Sequence, residues 1–151
     1  MQRRGEDRGW NFDIVGEGPD AKKLMRLAKR YGLRNVKFWG KHPPVPFYKR
    51  SSIFLMTSKS EGWGLTLTEA QQYGVVPIAF NSYPALHDII TDGVDGIIIP
   101  EGDLPGYVDK LLKLMQDKDW RNLMATNALD NCRRFAKGNV GRMWWELLND
   151  L

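Results

Sequence analysis

Cysteine is almost absent from this chain: Cys132 stands alone among 151 residues, which excludes an internal disulfide framework and fits a reducing compartment. Histidine is nearly as scarce, with only His42 and His87, so there is no His/Cys cluster of the kind that ligates a structural metal. No apolar run approaches the roughly 18 residues that a membrane-crossing helix needs. The opening stretch Met1-Gln2-Arg3-Arg4-Gly5-Glu6-Asp7-Arg8 is charged with no apolar segment behind it, unlike a signal peptide. Cytoplasm is therefore the expected compartment, with the inner face of the membrane as the variant. The net charge of +4 is modest, and its basic residues are dispersed over Lys22, Lys23, Arg26, Lys29 and Arg30, then Lys110, Lys113, Arg133 and Arg134. Spacings like these suit solvated helix faces rather than a nucleic-acid stripe, so nucleic acid is not an expected partner.

What is present is the pattern of one α/β domain over residues 1–151. Short β-branched runs alternate with longer stretches of 3.6-residue period, the signature of a parallel sheet flanked by helices. The strands are read at Asn11–Gly16, Asn35–Gly40, Ser52–Thr57, Val75–Phe80 and Gly96–Pro100. Between the first two, Leu24, Leu27 and Ala28 share one helix face, and Gly32 follows Tyr31 where a helix-ending glycine belongs. Pro43-Pro44-Val45-Pro46 leads stiffly into a short helix at Phe47 to Arg50. Leu65 to Tyr73 and Ala85 to Thr91 are the next helices, with Asp92-Gly93 as a turn. After Pro100 the pattern is helical to the end: Leu104 to Gln116, Trp120 to Phe135 and Val140 to Leu148. No internal repeat, low-complexity segment or linker interrupts it.

The chemistry concentrates after the third strand. Parallel α/β sheets bind ligands at the carboxyl ends of their strands, and there the chain reads Ser58-Lys59-Ser60-Glu61-Gly62-Trp63-Gly64 before a helix opens at Leu65. The glycines let backbone approach a ligand, and amides at a helix start attract phosphate oxygens. Glu61 in the loop and Glu69 in the helix bracket this turn. A carboxylate accepts two hydroxyl bonds at once, which suits a sugar or ribose diol.

Five segments in this order resemble the family-4 retaining glycosyltransferases, whose fold is the two-domain GT-B arrangement. Ile14-Val15-Gly16-Glu17-Gly18-Pro19 resembles the family's Val-Gly-x-Gly-Pro turn, and Val36-Lys37-Phe38-Trp39-Gly40 its Val-x-Phe-x-Gly strand. Ser60 to Ala70 resembles Ser-Glu-Gly-Phe-Gly-x-x-x-x-Glu-Ala, with Trp63 in place of the usual Phe. Gly74-Val75-Val76-Pro77 and Asp92-Gly93-Val94-Asp95-Gly96 resemble Gly-x-Pro-Val and Asp-Gly-x-Asn-Gly. The resemblance implies the donor-binding C-terminal domain of a retaining hexosyltransferase, Rossmann-like, with about five strands and a helical tail. Its substrate would be a UDP- or GDP-linked sugar, with no cofactor or metal, and its setting cell-surface polysaccharide or lipopolysaccharide assembly. Glu61 would act catalytically on the transferred sugar, and Glu69 would hold the ribose. Backbone at Gly62, Trp63, Gly64, Leu65 and Thr66 would meet sugar and diphosphate, and Gly16, Gly18, Gly40 and Lys41 would complete the donor site.

The family's donor domain begins with a strand and an Arg/Lys loop of the form Gly-Arg-Leu…Glu-Lys-Gly, and nothing like it occurs here. Residues 1–10 resemble the end of the helix that follows that loop. The expectation is a partial domain lacking its central strand and the acceptor-binding N-terminal domain, through which a sugar or lipid-linked acceptor would bind. The isolated chain is then expected to be inactive and open to self-association through the incomplete sheet, with the full enzyme peripheral to a membrane. Two alternatives stay open: a nucleotide-sugar epimerase of the same fold, and a non-catalytic nucleotide-binding module. Other residues read both ways. His42, His87 and Lys59 fit either a surface or a donor-side role. Cys132 fits a small core residue, and Trp144-Trp145 either pack the tail down or stay exposed in wait of another domain.

Overall fold

The computed structural model describes residues 9–150. Along them lie β1 (Phe12–Val15), α1 (Ala21–Arg30), β2 (Val36–Gly40), α2 (Val45–Tyr48), β3 (Ile53–Met56), α3 (Leu65–Gln71), β4 (Val76–Asn81), α4 (Leu86–Ile89), β5 (Ile97–Pro100), α5 (Leu104–Gln116), α6 (Lys118–Cys132) and α7 (Lys137–Asn149). A 3₁₀ turn, Arg133–Phe135, follows α6. Every expected strand and helix is found, with ends shifted by at most three residues. The expected helical tail over residues 1–10 falls outside the described residues for its first eight positions; Gly9 itself lies in a turn.

All ladders are parallel, as the alternation of strands and helices requires, but the five strands form two sheets rather than one. β1 pairs with β2, and β3-β4-β5 form the second sheet. Among the described residues no ladder joins β1 to β3, the two strands expected to flank the absent central one. The chain divides accordingly into two compact units, the first ending at Arg50 and the second starting at Ser51.

In the first unit, Phe12, Asp13 and Ile14 pair with Val36, Lys37 and Phe38, and a bulge then sets Val15 opposite Gly40. α1 buries no residue: the face expected to lie inward leaves Leu24 44% and Leu27 41% exposed. Burial in this unit falls on Phe47 and Tyr48 of α2.

The second unit is built on β4, which carries ladders on both sides. Period-two alternation splits its strands between two cores. Ile53 and Leu55, Val76 and Ile78, and Ile97 and Ile99 face Tyr107, Leu114 and Met124 of α5 and α6. Met56 and Ala79 point the other way, toward Leu67, Tyr83, Leu86, Ile89 and Ile90. With both faces covered, the strands carry apolar side chains at nearly every position. The helices start where side-chain caps allow: Asp103 accepts from the Gly106 amide at 3.0 Å and Asp117 from the Trp120 amide at 2.9 Å.

The turn into β5 explains the Asp-Gly-x-Asp-Gly run. Gly93 takes φ +75°, Asp92 accepts from the Ile98 amide at 2.8 Å, and Asp95 accepts from the Thr91 amide at 2.8 Å. Gly96 closes the turn against β4. A Cβ there would stand 2.7 Å from Pro77 Cγ, 2.9 Å from Ile90 Cγ2 and 2.9 Å from the Pro77 carbonyl oxygen. Gly96→Ala should therefore cost about 1–3 kcal/mol of stability, the usual range for overpacking a filled core. Urea unfolding measures it, and an unchanged midpoint would show that β5 can shift freely.

Candidate functional site

The expected site residues fall into two groups, one on each compact unit. In the first, the Gly16 amide donates to the Gly40 carbonyl at 2.8 Å, so the two glycines meet at the carboxyl ends of β1 and β2. Gly40 has φ +69° and Gly16 φ +138°, a left-handed backbone that favours glycine at both positions. Gly18 and Lys41 are exposed beside them. Beneath this corner sits a cluster that sequence reasoning missed. Trp39 Nε1 donates to Asp13 Oδ1 at 2.6 Å, and Arg50 Nη2 donates to Asp13 Oδ2 at 2.8 Å. The Trp39 ring meets Phe47 edge-on at 5.3 Å, and Lys37 Nζ lies 3.6 Å from its centroid. His42 joins the same aromatic group, 6.1 Å from Trp39 and 6.3 Å from Phe47. Partial burial works to raise the Asp13 pKa, but Trp39, Arg50 and Lys37 more than offset it and hold the carboxyl below its ordinary range.

In the second unit the chain leaves β3 at Met56 and runs through the glutamate loop into α3. Glu61 and Gly62 are exposed, Leu65 is 67% exposed, Thr66 is exposed, and Glu69 is half-buried. The Trp63 ring turns onto Phe135, edge to face at 5.5 Å, so the indole is committed to a protein contact and its backbone stays with the loop. Gly64 caps α3 in the left-handed region, φ +91° and ψ +48°. α3 has seven residues, and over so short a helix the local amides matter more than a macrodipole.

Two further residues border this loop. Ser82 Oγ donates to the Ser58 carbonyl at 2.6 Å, and the buried Tyr83 hydroxyl lies under Gly64. Burial pushes the Tyr83 phenol up to about 12, and the nearby Glu61 charge adds to the shift. The carboxyl end of β4 is where such residues belong, and that rule applied to Asn81-Ser82-Tyr83 would have found them. His87 Nε2 lies 2.9 Å from Asn81 Oδ1 at the same strand end. The chain's Asp-x-Asp triplet, Asp117-Lys118-Asp119, lies at the start of α6, where Asp117 is the cap. Among the described residues no helix is long and apolar enough to cross a membrane.

The family model described as Glycosyl transferases group 1 matches residues 2–130. The chain belongs to the group 1 glycosyl transferases. Relatives of this glycosyl transferase chain include a D-inositol 3-phosphate glycosyltransferase of Frankia alni, 31% identical over 133 residues, which are 83% of this chain and 31% of that protein. An exopolysaccharide phosphotransferase of Streptomyces coelicolor is 28% identical over 146 residues, 95% of this chain and 16% of that protein. Among solved structures, a TarM mutant of S. aureus in complex with fondaparinux, alpha-GlcNAc-glycerol and UDP superposes with a TM-score of 0.81 at 25% identity. That likeness covers 92% of this chain and 29% of TarM. The chain thus spans less than a third of each of these relatives. The Rossmann-like α/β fold and the GT-B likeness expected from the motifs both hold.

The Asp13 cluster makes a prediction for this glycosyl transferase. A carboxyl whose pKa is depressed by folding contributes stability above its unfolded value, near 4, and loses it as pH falls through the folded one. Asp13→Asn should lower the unfolding temperature at pH 7, by a difference that shrinks as pH falls below the ordinary aspartate value toward about pH 3. Thermal melts at the two pH values test this, and equal deficits at both would remove the charge from the account.

Proposed function

We propose that this chain is the donor-binding portion of a retaining hexosyltransferase that uses a nucleotide-diphospho-sugar. The observation that carries the proposal is the loop from Ser58 to Gly64, which joins the carboxyl end of β3 to α3 in a family member, with Glu61 exposed in it and Glu69 half-buried beyond it. Glu61 accepts hydrogen bonds from hydroxyls of the transferred sugar, and Glu69 from the ribose. Amides from Gly62 to Thr66 meet the sugar and diphosphate. Gly16, Gly18, Gly40 and Lys41 supply the donor contacts of the first unit. The base is uracil or guanine. UDP is favoured because it is the nucleotide in the TarM complex, at 25% identity.

The reaction breaks the bond between the anomeric carbon and the diphosphate oxygen and forms one to an acceptor oxygen on the same face. The diphosphate carries away the electron pair, and the acceptor gives up a proton. Catalysis of this kind rests on positioning and on stabilising the leaving group. No cofactor or metal enters. The setting is polysaccharide assembly at the cytoplasmic face of a membrane, in keeping with the exopolysaccharide relative. The acceptor is a sugar or a lipid-linked saccharide. Among the described residues β1 and β3 each have a ladder on one side only, which supports self-association of the isolated chain.

Calorimetric titration with UDP, UDP-sugars and their GDP counterparts tests the reading. Glu69→Ala should weaken nucleotide and nucleotide-sugar alike, by about 10- to 100-fold for lost bonds to a charged group. Glu61→Ala should weaken the nucleotide-sugar and spare the free nucleotide. Donor affinity that survives both substitutions would sink the assignment.

A further inference from the structure

The loop that carries Glu61 is held at both ends by two consecutive residues of another segment. At its first end Ser82 Oγ donates to the Ser58 carbonyl at 2.6 Å. At its last end the Tyr83 ring lies against Gly64: a Cβ on Gly64 would stand 2.4 Å from the Tyr83 hydroxyl oxygen and 3.2 Å from Cζ. Tyr83 is only 6% exposed, belongs to the core with Met56, Leu67 and Leu86, and donates its hydroxyl to Met56 Sδ at 3.7 Å. Sulfur is a weak acceptor, so the hydroxyl's hydrogen bond is a poor reason for its position. Its close approach to the Gly64 backbone is a better one.

We infer that Ser82 and Tyr83 are positioning residues for the glutamate loop, fixing the span from Ser58 to Gly64 so that Glu61 and its neighbouring amides keep one geometry. This rests on the donor-site reading given above. Both residues follow β4 directly, and β4 is the strand buried on both faces. The loop thereby inherits the rigidity of the sheet, although Glu61 itself is exposed. A site whose groups must be held to a fraction of an ångström depends on such support. The third contact, Trp63 on Phe135, holds the loop beside its Gly64 end. Closeness of the Glu61 charge to the Tyr83 phenol is consistent with the carboxylate lying over this anchor.

The test uses the full chain with Tyr83→Phe, which keeps the ring and core packing, and Ser82→Ala. Hydrogen exchange reads the loop without any ligand. Both variants should speed exchange over residues 58–66 and leave α5 and α6 unchanged. Unchanged loop exchange in both overturns the inference. Titration with UDP and UDP-GlcNAc, and with GDP and GDP-mannose, then reads the role in binding. Ser82→Ala should lose about five- to tenfold in affinity for the nucleotide-sugar, the scale of one hydrogen bond, and Tyr83→Phe, which loses only a packing contact with Gly64, a smaller part of that, both with little loss for the free nucleotide. A loosened loop with unaltered donor affinity confines the pair to a structural role. A wild-type chain that binds no donor overturns the donor reading itself, an outcome distinct from the other two. A double-mutant cycle adds a readout that simple destabilisation would not move: Tyr83→Phe should recover part of the stability lost in Gly64→Ala, since it removes the atom at 2.4 Å. Strict additivity of the two counts against the contact.

Discussion

Burial of β4 on both faces is the constraint on which the second unit depends. Val76 and Ile78 enter one core and Ala79 the other, all fully buried, while β3 and β5 complete the ladders on its two edges. A strand so enclosed has little freedom in register, because a slip of one residue would exchange its two core sets. Whatever follows its carboxyl end is delivered to a fixed place. Asn81, Ser82 and Tyr83 are those residues, and two of them reach the glutamate loop. Packing chosen for stability thus sets the geometry of the candidate site. The same logic reaches β5 through Gly96, where the missing side chain lets the turn lie against Pro77 and Ile90.

The strands and the longer helices were legible in the sequence because both signals are local: apolar runs of four to six residues, and 3.6-residue periods closed by glycine. Gly64 and Gly93 were read from the turns they serve, and both take positive φ. What was not legible depends on partners distant along the chain. Nothing near Asp13 announces that Trp39 and Arg50, 26 and 37 positions away, will share its carboxylate. Nothing near Trp63 announces that the distant Phe135 will take its ring. The face of Leu24 and Leu27 was read correctly as apolar, but periodicity identifies a face without naming what covers it, and here it is exposed. The same holds for Trp144 and Trp145, 60% and 67% exposed on α7, which do not pack the tail down. The division of five strands into two sheets is a property of the whole strand order rather than of any segment.

Family membership and activity rest on different observations. The match over residues 2–130 places the chain among the group 1 glycosyl transferases. Yet a glycosyltransferase and an exopolysaccharide phosphotransferase both contain regions similar to it, over 31% and 16% of their lengths. A domain shared by proteins of unlike overall activity carries what they have in common, and a fold hosts chemistry through the residues placed on it. For this chain the residues proposed for that role are the glutamate loop and the Gly16–Gly40 corner.

These two groups rest on unequal foundations. The loop is braced by a strand with two buried faces and by a tyrosine that is itself core. The Gly16–Gly40 corner tops a two-stranded ladder whose helix buries nothing, and two-stranded sheets are marginal without further packing. What holds that corner is largely polar and aromatic: the Asp13 carboxylate bridging Trp39 and Arg50, with Phe47 against the indole. Local opening should follow this difference, since segments with few buried apolar contacts open at low free-energy cost. Glu61, exposed but in a loop anchored from beneath, is therefore better ordered than the Gly16–Gly40 corner. The glycine corner would gain the most order from a ligand that bridged its backbone, and that gain would reduce the net affinity it contributes.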